Sequence, residues 1–279
     1  MKIQFLGTGA AEGVPAEFCN CEVCKKARRL GGKEIRRRTQ VLIDGKVCID
    51  FPPDAYMHAV LQNVDLSAIE TLLVTHSHMD HFYAHDFILR GYKYASGMTC
   101  PEMRIYGNGE VKAVFAECTR RESRQEVEKD LPVSEMNVFL PYRAGDYTVT
   151  AFPALHTPKE QALLFLVEKE GKAYLHLHDT GKVTEETYEY LKTQGKRVQA
   201  VAMDCTLVDT HSSTSGRHMG LEENVEVMNR LKADGVANEN TKFIITHFSH
   251  NSAPFTKRLE KIGKAYGVIP AYDGMTLEI

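Results

Sequence analysis

Thr75-His76-Ser77-His78-Met79-Asp80-His81 sits directly behind the apolar run Thr71 to Val74, and its last six residues hold three imidazoles and one carboxylate. A strand that ends at this point releases its following side chains into a loop. Imidazole and carboxylate together suit borderline divalent cations such as zinc, manganese or iron. The spacing H-x-H-x-D-H lets His76 and His78 aim at one ion while Asp80 and His81 reach a second. A polar surface loop has no need of such density.

A pair of ions needs ligands from elsewhere in the chain. Three further short segments rich in β-formers end on a candidate: Ala151 to Leu155 before His156, Ala173 to His178 before Asp179, and Lys242 to Thr246 before His247. Strand ends suit chemistry because loops vary there while the strands hold position. A second cluster, Cys19-Asn20-Cys21-Glu22-Val23-Cys24, is too dense in thiols for core packing, and nothing secretory in the sequence favours disulfides. Three sulfurs call for a fourth ligand to complete a zinc tetrahedron. His250 is the candidate: if Thr246 to His250 leaves its strand as a tight turn, His247 faces the ion pair and His250 faces the cysteines.

The series His76, His78, Asp80, His81, His156, Asp179 and His247 resembles the full ligand set of the metallo-β-lactamase superfamily, over nearly the whole chain. That resemblance implies an α/β (α+β) fold, a four-layer αββα sandwich of two facing sheets with helices outside. It implies one hydrolase domain over residues 1–279 with a zinc-binding loop at 19–24. His76, His78 and His156 would hold the first metal, Asp80, His81 and His247 the second, with Asp179 bridging. Gly7-Thr8-Gly9, Gly13-Val14-Pro15, the C-x-C-x-x-C run and Thr75-His76-Ser77-His78 are similar to the PhnP-like phosphodiesterase branch. That branch pairs a di-metal centre with one structural zinc on three cysteines and a histidine. The cysteine segment is also similar to that of the pyrroloquinoline quinone biosynthesis protein B.

The activity implied is metal-dependent hydrolysis of a small phosphate ester, cyclic esters included, by water activated between two divalent ions (zinc or manganese, with iron also suited). Asp80 and His218 are the residues assigned to catalysis. His218 lies in the loop Ser215-Gly216-Arg217-His218-Met219-Gly220, after the strand Ala200 to Met203 with Asp204-Cys205, and before a helix marked by Leu221, Val225, Met228 and Leu231. This order resembles the place where phosphodiesterases of the superfamily keep a histidine near the leaving group, implying a general acid or phosphate donor. His211 competes for the role. Two other readings stay open: a tRNA 3′ processing nuclease, and a non-catalytic cofactor-biosynthesis or carrier protein. No Gly-x-Ser-x-Gly elbow supports covalent catalysis.

Composition narrows the classes. With 279 residues, 43% of them hydrophobic, the chain can bury a large core. It has no apolar run of about eighteen residues, so no membrane span is expected. Met1 to Gly7 reads as a strand and turn without a signal peptide's apolar core, so a cytoplasmic location is expected. A net charge of −3 argues against long nucleic acids as partners. The partner expected is a small phosphate ester, with a homodimer left open. One basic stretch, Arg28, Arg29, Lys33, Arg36, Arg37 and Arg38, is either a solvated face or a guide for an anionic ester.

The remaining features divide into structural and undecided ones. Val41 to Asp44 and Val47 to Phe51 predict a hairpin about Gly45, and Glu110 to Lys129 predicts one external helix. Asp50 is a support for the site, a helix cap or a loop anchor, and is left outside the site. His85 and Asp86 are either hydrogen-bond partners of the site or a buried polar pair. His176 and His178 share one strand face, with His178 turned away from Asp179. His58 has no recognisable setting, and Cys48, Cys100, Cys118 and Cys205 are buried or free thiols.

Overall fold

A computed structural model describes residues 1–210 and 216–279. Two seven-stranded mixed sheets form its centre. The first comprises β1 (Lys2–Gly7), β2 (Gln40–Ile43), β3 (Val47–Ile49), β4 (Thr71–Leu73), β5 (Arg104–Gly107), β6 (Val133–Glu135) and, beside β1, the final strand β14 (Met275–Glu278). The second runs from β7 (Pro141–Ala144) through β8 (Tyr147–Pro153), β9 (Leu163–Lys169), β10 (Lys172–Leu177), β11 (Ala200–Asp204) and β12 (Lys242–Thr246) to β13 (Ile269–Pro270). Each sheet joins an antiparallel half to a parallel half, the parallel strands being β3 to β6 and β10 to β13. Helices α1 (Glu22–Leu30), α2 (Ala55–Gln62), α3 (Gly109–Thr119), α4 (Gln125–Glu128), α5 (Glu185–Thr193), α6 (Leu221–Ala233) and α7 (Thr256–Tyr266) complete the order.

Side-chain alternation creates the layers. Phe5, Ile43, Ile49 and Leu73 of the first sheet meet Val149, Phe165, Val167 and Ile244 of the second in the central core. On the far side of the first sheet, Leu42, Leu72 and Ile105 pack under Ala55 of α2 and Val111 and Phe115 of α3. On the far side of the second, Leu166, Leu177 and Met203 pack under Leu191 of α5, Leu231 of α6 and Leu259 of α7. Successive residues therefore serve different layers, and strands covered on both faces are apolar throughout. This is the αββα sandwich that the sequence implied.

The hairpin forms as read: β2 and β3 pair through Ile43↔Val47, and Asp44 and Gly45 take left-handed φ of 50° and 71°, the conformation of a tight turn whose twist matches the strands. Gly7 is required for a different reason. A Cβ there would lie 2.0 Å from the Arg38 carbonyl oxygen, so only glycine lets β1 pass the segment before β2.

The helix expected over Glu110 to Lys129 is two helices. Thr119 donates its hydroxyl to the Phe115 carbonyl at 2.7 Å, and Arg120 to Arg124 offers no apolar side chain to hold another turn on the sheet. The helix ends there, and Val127, buried in the outer core, fixes the short α4. Among the described residues no helix is long and apolar enough to cross a membrane.

Candidate metal centre

The C-terminal ends of the parallel strands converge on one spot, as chemistry in open sheets commonly does. β4 delivers His76 to His81, β10 delivers Asp179, β11 ends on Asp204 and β12 delivers His247, while β8 leads to His156. Asp50, Asp179 and His247 each follow or end a strand with left-handed φ, at 63°, 48° and 63°. A non-glycine residue pays a conformational cost there, which the surrounding bonds must offset.

Two groups of donors result. In the first, His76 Nε2 lies 2.9 Å from His78 Nδ1, and His156 Nε2 lies 3.3 Å from the same atom. In the second, Asp80, His81 and His247 surround Asp179: His81 Nε2 is 3.2 Å from Asp80 Oδ2 and 2.8 Å from Asp179 Oδ2, and His247 Nε2 is 3.1 Å from Asp179 Oδ1. Asp179 Oδ2 also lies 3.5 Å from His76 Nε2 and 3.8 Å from His156 Nε2, so this carboxylate borders both groups.

The chemistry of these donors is that of a cation site. Thr75 donates its hydroxyl to Asp50, so its lone pairs face His76 Nδ1 at 3.0 Å and leave His76 Nε2 unprotonated. Asp50 Oδ2 accepts from His81 Nδ1 at 2.6 Å, which places the lone pair of the neutral His81 ring on Nε2 too. Thr206 donates to the His247 carbonyl at 2.9 Å and faces His247 Nδ1 at 2.8 Å, with the same result. Lone pairs therefore point at lone pairs and carboxylates. His81 Nε2, His247 Nε2 and Asp179 Oδ1 are buried with no hydrogen-bond partner. Buried acceptors do not stay unpaired without cause, and divalent cations would satisfy them together. Burial and the nearby His81 push His76 well below the ordinary imidazole range. Against the cost of burial, the Asp80, Asp50 and Asp179 carboxylates push His81 well above it, and a cation on Nε2 would displace the extra proton that this favours.

His218 enters from the loop before α6. Its Nδ1 lies 3.0 Å from Asp204 Oδ2 and 3.2 Å from Asp179 Oδ1, and its ring stacks on His247 at 5.7 Å. Burial opposes its charge, yet the carboxylates of Asp204 and Asp179 carry it up to about 11. Asp179, Asp204, His218 and His247 are also close enough to share a cation. However, Asp204 Oδ1 already accepts from the backbone N–H groups of Thr206 and Met219, at 2.9 and 3.2 Å. Asp204 therefore acts as an anchor for His218. His211 lies outside the described residues.

The cysteine cluster forms as a separate site. His250 Nδ1 lies 3.9, 3.6 and 3.4 Å from the sulfurs of Cys19, Cys21 and Cys24. A tetrahedral zinc bonded to sulfur and imidazole separates those atoms by about 3.5 Å. Cys21 caps α1, and the backbone N–H of Cys24, then His250, draws its thiol down to about 6. His250 opens the turn after His247, capped by Ser249, so one segment serves both clusters.

The sequence profile of the Beta-lactamase superfamily domain matches residues 42–248. The chain belongs to the β-lactamase superfamily. It is 34% identical to an octanoyltransferase of Porphyromonas gingivalis over 85 residues, 29% of this chain and 16% of that one. It is 28% identical to ribonuclease Z of Bacillus subtilis over 157 residues, 56% of this chain and 46% of that one. The chain thus spans less than half the length of these curated relatives. A diphosphatase of the PhnP family has the same fold, with a TM-score of 0.73 and 21% identity over 100% of this chain and 97% of that one.

Within this superfamily site, Asp50 proves to be the support that the sequence offered as one of three readings, whereas Asp204 and Thr206 were not singled out as supports. Asp50, fully buried, binds His81 and both Thr75 donors, its backbone N–H at 2.8 Å and its hydroxyl at 2.9 Å. Asp204 and Thr206 do the same for His218 and His247. Their only sequence signal is a polar residue at or just beyond the end of a buried strand. His178 Nδ1 lies 3.3 Å from Thr39 Oγ1, and its ring packs on His176 at 3.7 Å. His58 is buried on Gln40 at 2.7 Å.

One expectation fails, and another holds for only part of its residues. His85 is exposed and packs at a tilt on the Tyr83 ring, and Asp86 lines an apolar recess beside Phe87 and Leu89, so neither supports the site. The basic stretch divides: Arg28, Arg29 and Lys33 lie exposed, as a solvated face would, whereas Arg36 is buried and Arg37 and Arg38 are half-buried. Arg36 is buried over Phe248 and donates to Thr8 and Ala271, Arg37 pairs with Asp273, Arg38 binds Asp54, Glu17 and the Ala11 carbonyl, and Arg28 binds Asn20 and the Cys19 carbonyl. Their planar donors cross-brace the loops around the two clusters.

Proposed function

We propose that the chain is a metal-dependent phosphodiesterase acting on a small phosphate ester, cyclic esters included. Two divalent ions, zinc or manganese or iron, would occupy the His76, His78, His156 and Asp80, His81, His247 groups around Asp179. A structural zinc would occupy Cys19, Cys21, Cys24 and His250. The observation that carries the reading is the set of buried, unpartnered atoms on His81, His247 and Asp179, with His218 held at their edge.

When bound, the ions would lower the pKa of a water between them and offset charge on a phosphoryl oxygen. The protein's own contribution is order. Asp50, Thr75 and Thr206 hold three imidazoles in the tautomer that offers Nε2, so no reorganisation is needed when charge develops. His218 has Nδ1 tied to Asp204 at 3.0 Å, which leaves Nε2 for the departing ester oxygen. Asp204 keeps that ring protonated at neutral pH, as a general acid requires. Cations on Asp179 would offset part of this effect.

The likeness to ribonuclease Z supports a second reading, a tRNA 3′ processing nuclease. The net charge of −3 favours the small ester. Metal analysis combined with hydrolysis of bis-p-nitrophenyl phosphate and of a precursor tRNA separates the two. Turnover of the small diester without tRNA cleavage is expected. TRNA cleavage would favour the nuclease, and full metal loading without turnover of either substrate would favour a non-catalytic carrier protein.

A further inference from the structure

His76 and His78 follow β4 of the first sheet, whereas His156 lies in the loop joining β8 to β9 of the second, so the first donor group spans the seam between the sheets. Apolar packing in the central core is non-directional and does not fix that gap to the few tenths of an ångström that metal bonds require. Directional bonds across the seam do. One runs from the Leu163 N–H of β9 to the Thr75 carbonyl at 2.8 Å. Others meet on Glu160, four residues beyond His156.

Glu160 is half-buried, and neutral donors from two loops of the first sheet converge on it. Its Oε1 accepts from the Ser77 hydroxyl at 2.7 Å, and its Oε2 from the Ser77 N–H at 3.0 Å and the Asn108 side-chain amide at 2.7 Å. Ser77 stands between His76 and His78, so a bond to its backbone constrains both. Asn108 follows β5 and caps α3 by accepting from the Val111 N–H at 2.9 Å, while its amide also donates to the Gln161 carbonyl at 2.8 Å. One carboxylate thus ties the His76–His78 segment, the loop of His156 and the end of a helix. Among the described residues Glu160 bonds to none of the site's imidazoles, so it does not act by fixing a tautomer as Asp50 does.

We propose, resting on the metal-centre reading and on no particular substrate, that Glu160 is a positioning residue for the first ion: it holds His76 and His78 at a set distance from His156 across the seam. Because its donors are neutral, the placement of the acceptor matters more than its charge. A glutamine can keep the tie. Its oxygen accepts from the Ser77 N–H and from Asn108, and its amide turns to the Ser77 hydroxyl, which then accepts.

Chelator competition on the zinc-loaded protein reads the affinity of each ion, with Asp80→Ala marking the step that belongs to the second. Glu160→Ala should weaken the first ion on the order of ten- to a hundredfold, the usual loss when a partner behind the ligands is removed, and leave the second ion and the cysteine-bound zinc in place. Glu160→Gln should bind the first ion nearly as tightly as the wild type. Asn108→Asp separates positioning from stability: the new carboxylate still caps α3, where negative charge suits a helix N-terminus, so unfolding in urea should change little. It also faces Glu160 Oε2, and first-ion affinity should fall nonetheless. Adding Glu160→Gln to Asn108→Asp turns an amide N–H₂ towards that carboxylate and should recover part of the loss. Losses that simply follow unfolding stability in every variant would overturn the proposal, as would a double variant no tighter than Asn108→Asp alone. A wild type that keeps both catalytic ions beside an unaffected Glu160→Ala would remove the positioning role alone. A wild type that holds the cysteine-bound zinc and no other ion would overturn the metal-centre reading, and the positioning role with it.

Discussion

Asp50→Asn removes one charge and almost no volume, and it tests how the site is held. Asp50 is fully buried and accepts on both oxygens: His81 Nδ1 on Oδ2 at 2.6 Å, the Thr75 N–H and hydroxyl on Oδ1 at 2.8 and 2.9 Å. Asparagine has one oxygen. If that oxygen stays with Thr75, the amide N–H₂ faces His81 Nδ1 and forces the proton onto Nε2, against Asp179 and Asp80. His81 then ceases to be a ligand, and loss of such an orienting partner typically weakens metal binding ten- to a hundredfold, about 1.4 to 2.8 kcal/mol. If the amide turns over, two buried Thr75 donors lose their acceptor, at a cost of about 1 to 3 kcal/mol in stability. Chelator competition with metal analysis reads the first outcome and urea unfolding the second. A variant with unchanged affinity for both catalytic ions and unchanged unfolding would refute the tautomer argument.

Other outcomes follow from the same geometry. His218→Ala should slow alkyl or nucleoside phosphodiesters by on the order of a hundredfold or more, while p-nitrophenyl esters, whose leaving group departs without a proton, lose much less. Equal losses on both would assign His218 to phosphate binding. Asp80→Ala should abolish hydrolysis in a folded protein that keeps its cysteine-bound zinc, and residual full activity would sink the two-ion mechanism. Cys21→Ser or His250→Ala should lose about one ion per chain and lower the melting temperature more than it lowers kcat. Burial, then the charge of Arg37, lowers His58 to about 3 from its ordinary 6.5. The unfolded chain therefore takes up a proton below 6.5 that the folded chain refuses. The stability tied to neutral His58 is complete above 6.5 and falls as pH drops towards 3, by about 2 kcal/mol between pH 7 and pH 5. Urea midpoints of wild type and His58→Gln across that range should diverge accordingly, and parallel curves would contradict it.

The superfamily resemblance and the strand ends were legible in the sequence because both are local. H-x-H-x-D-H follows a single strand, C-x-C-x-x-C runs from one loop into the first turn of α1, and Lys242 to Thr246 is itself the whole of β12. Tertiary structure decided what holds those residues. Asp50 reaches Thr75 and His81 because β3 and β4 are parallel neighbours ending side by side, and Asp204 reaches His218 only when the loop before α6 folds back over β11. A lone aspartate at a strand end carries no sign of the partner it will meet across a sheet. The basic stretch shows the converse. Six cations within eleven residues look like surface charge, yet Arg36 is buried and Arg37 and Arg38 are mostly so, because carbonyls and carboxylates distant in sequence converge there to take their donors. Chemistry confined to one loop can be read from its spacing; chemistry assembled from neighbouring strands depends on a register that only packing sets.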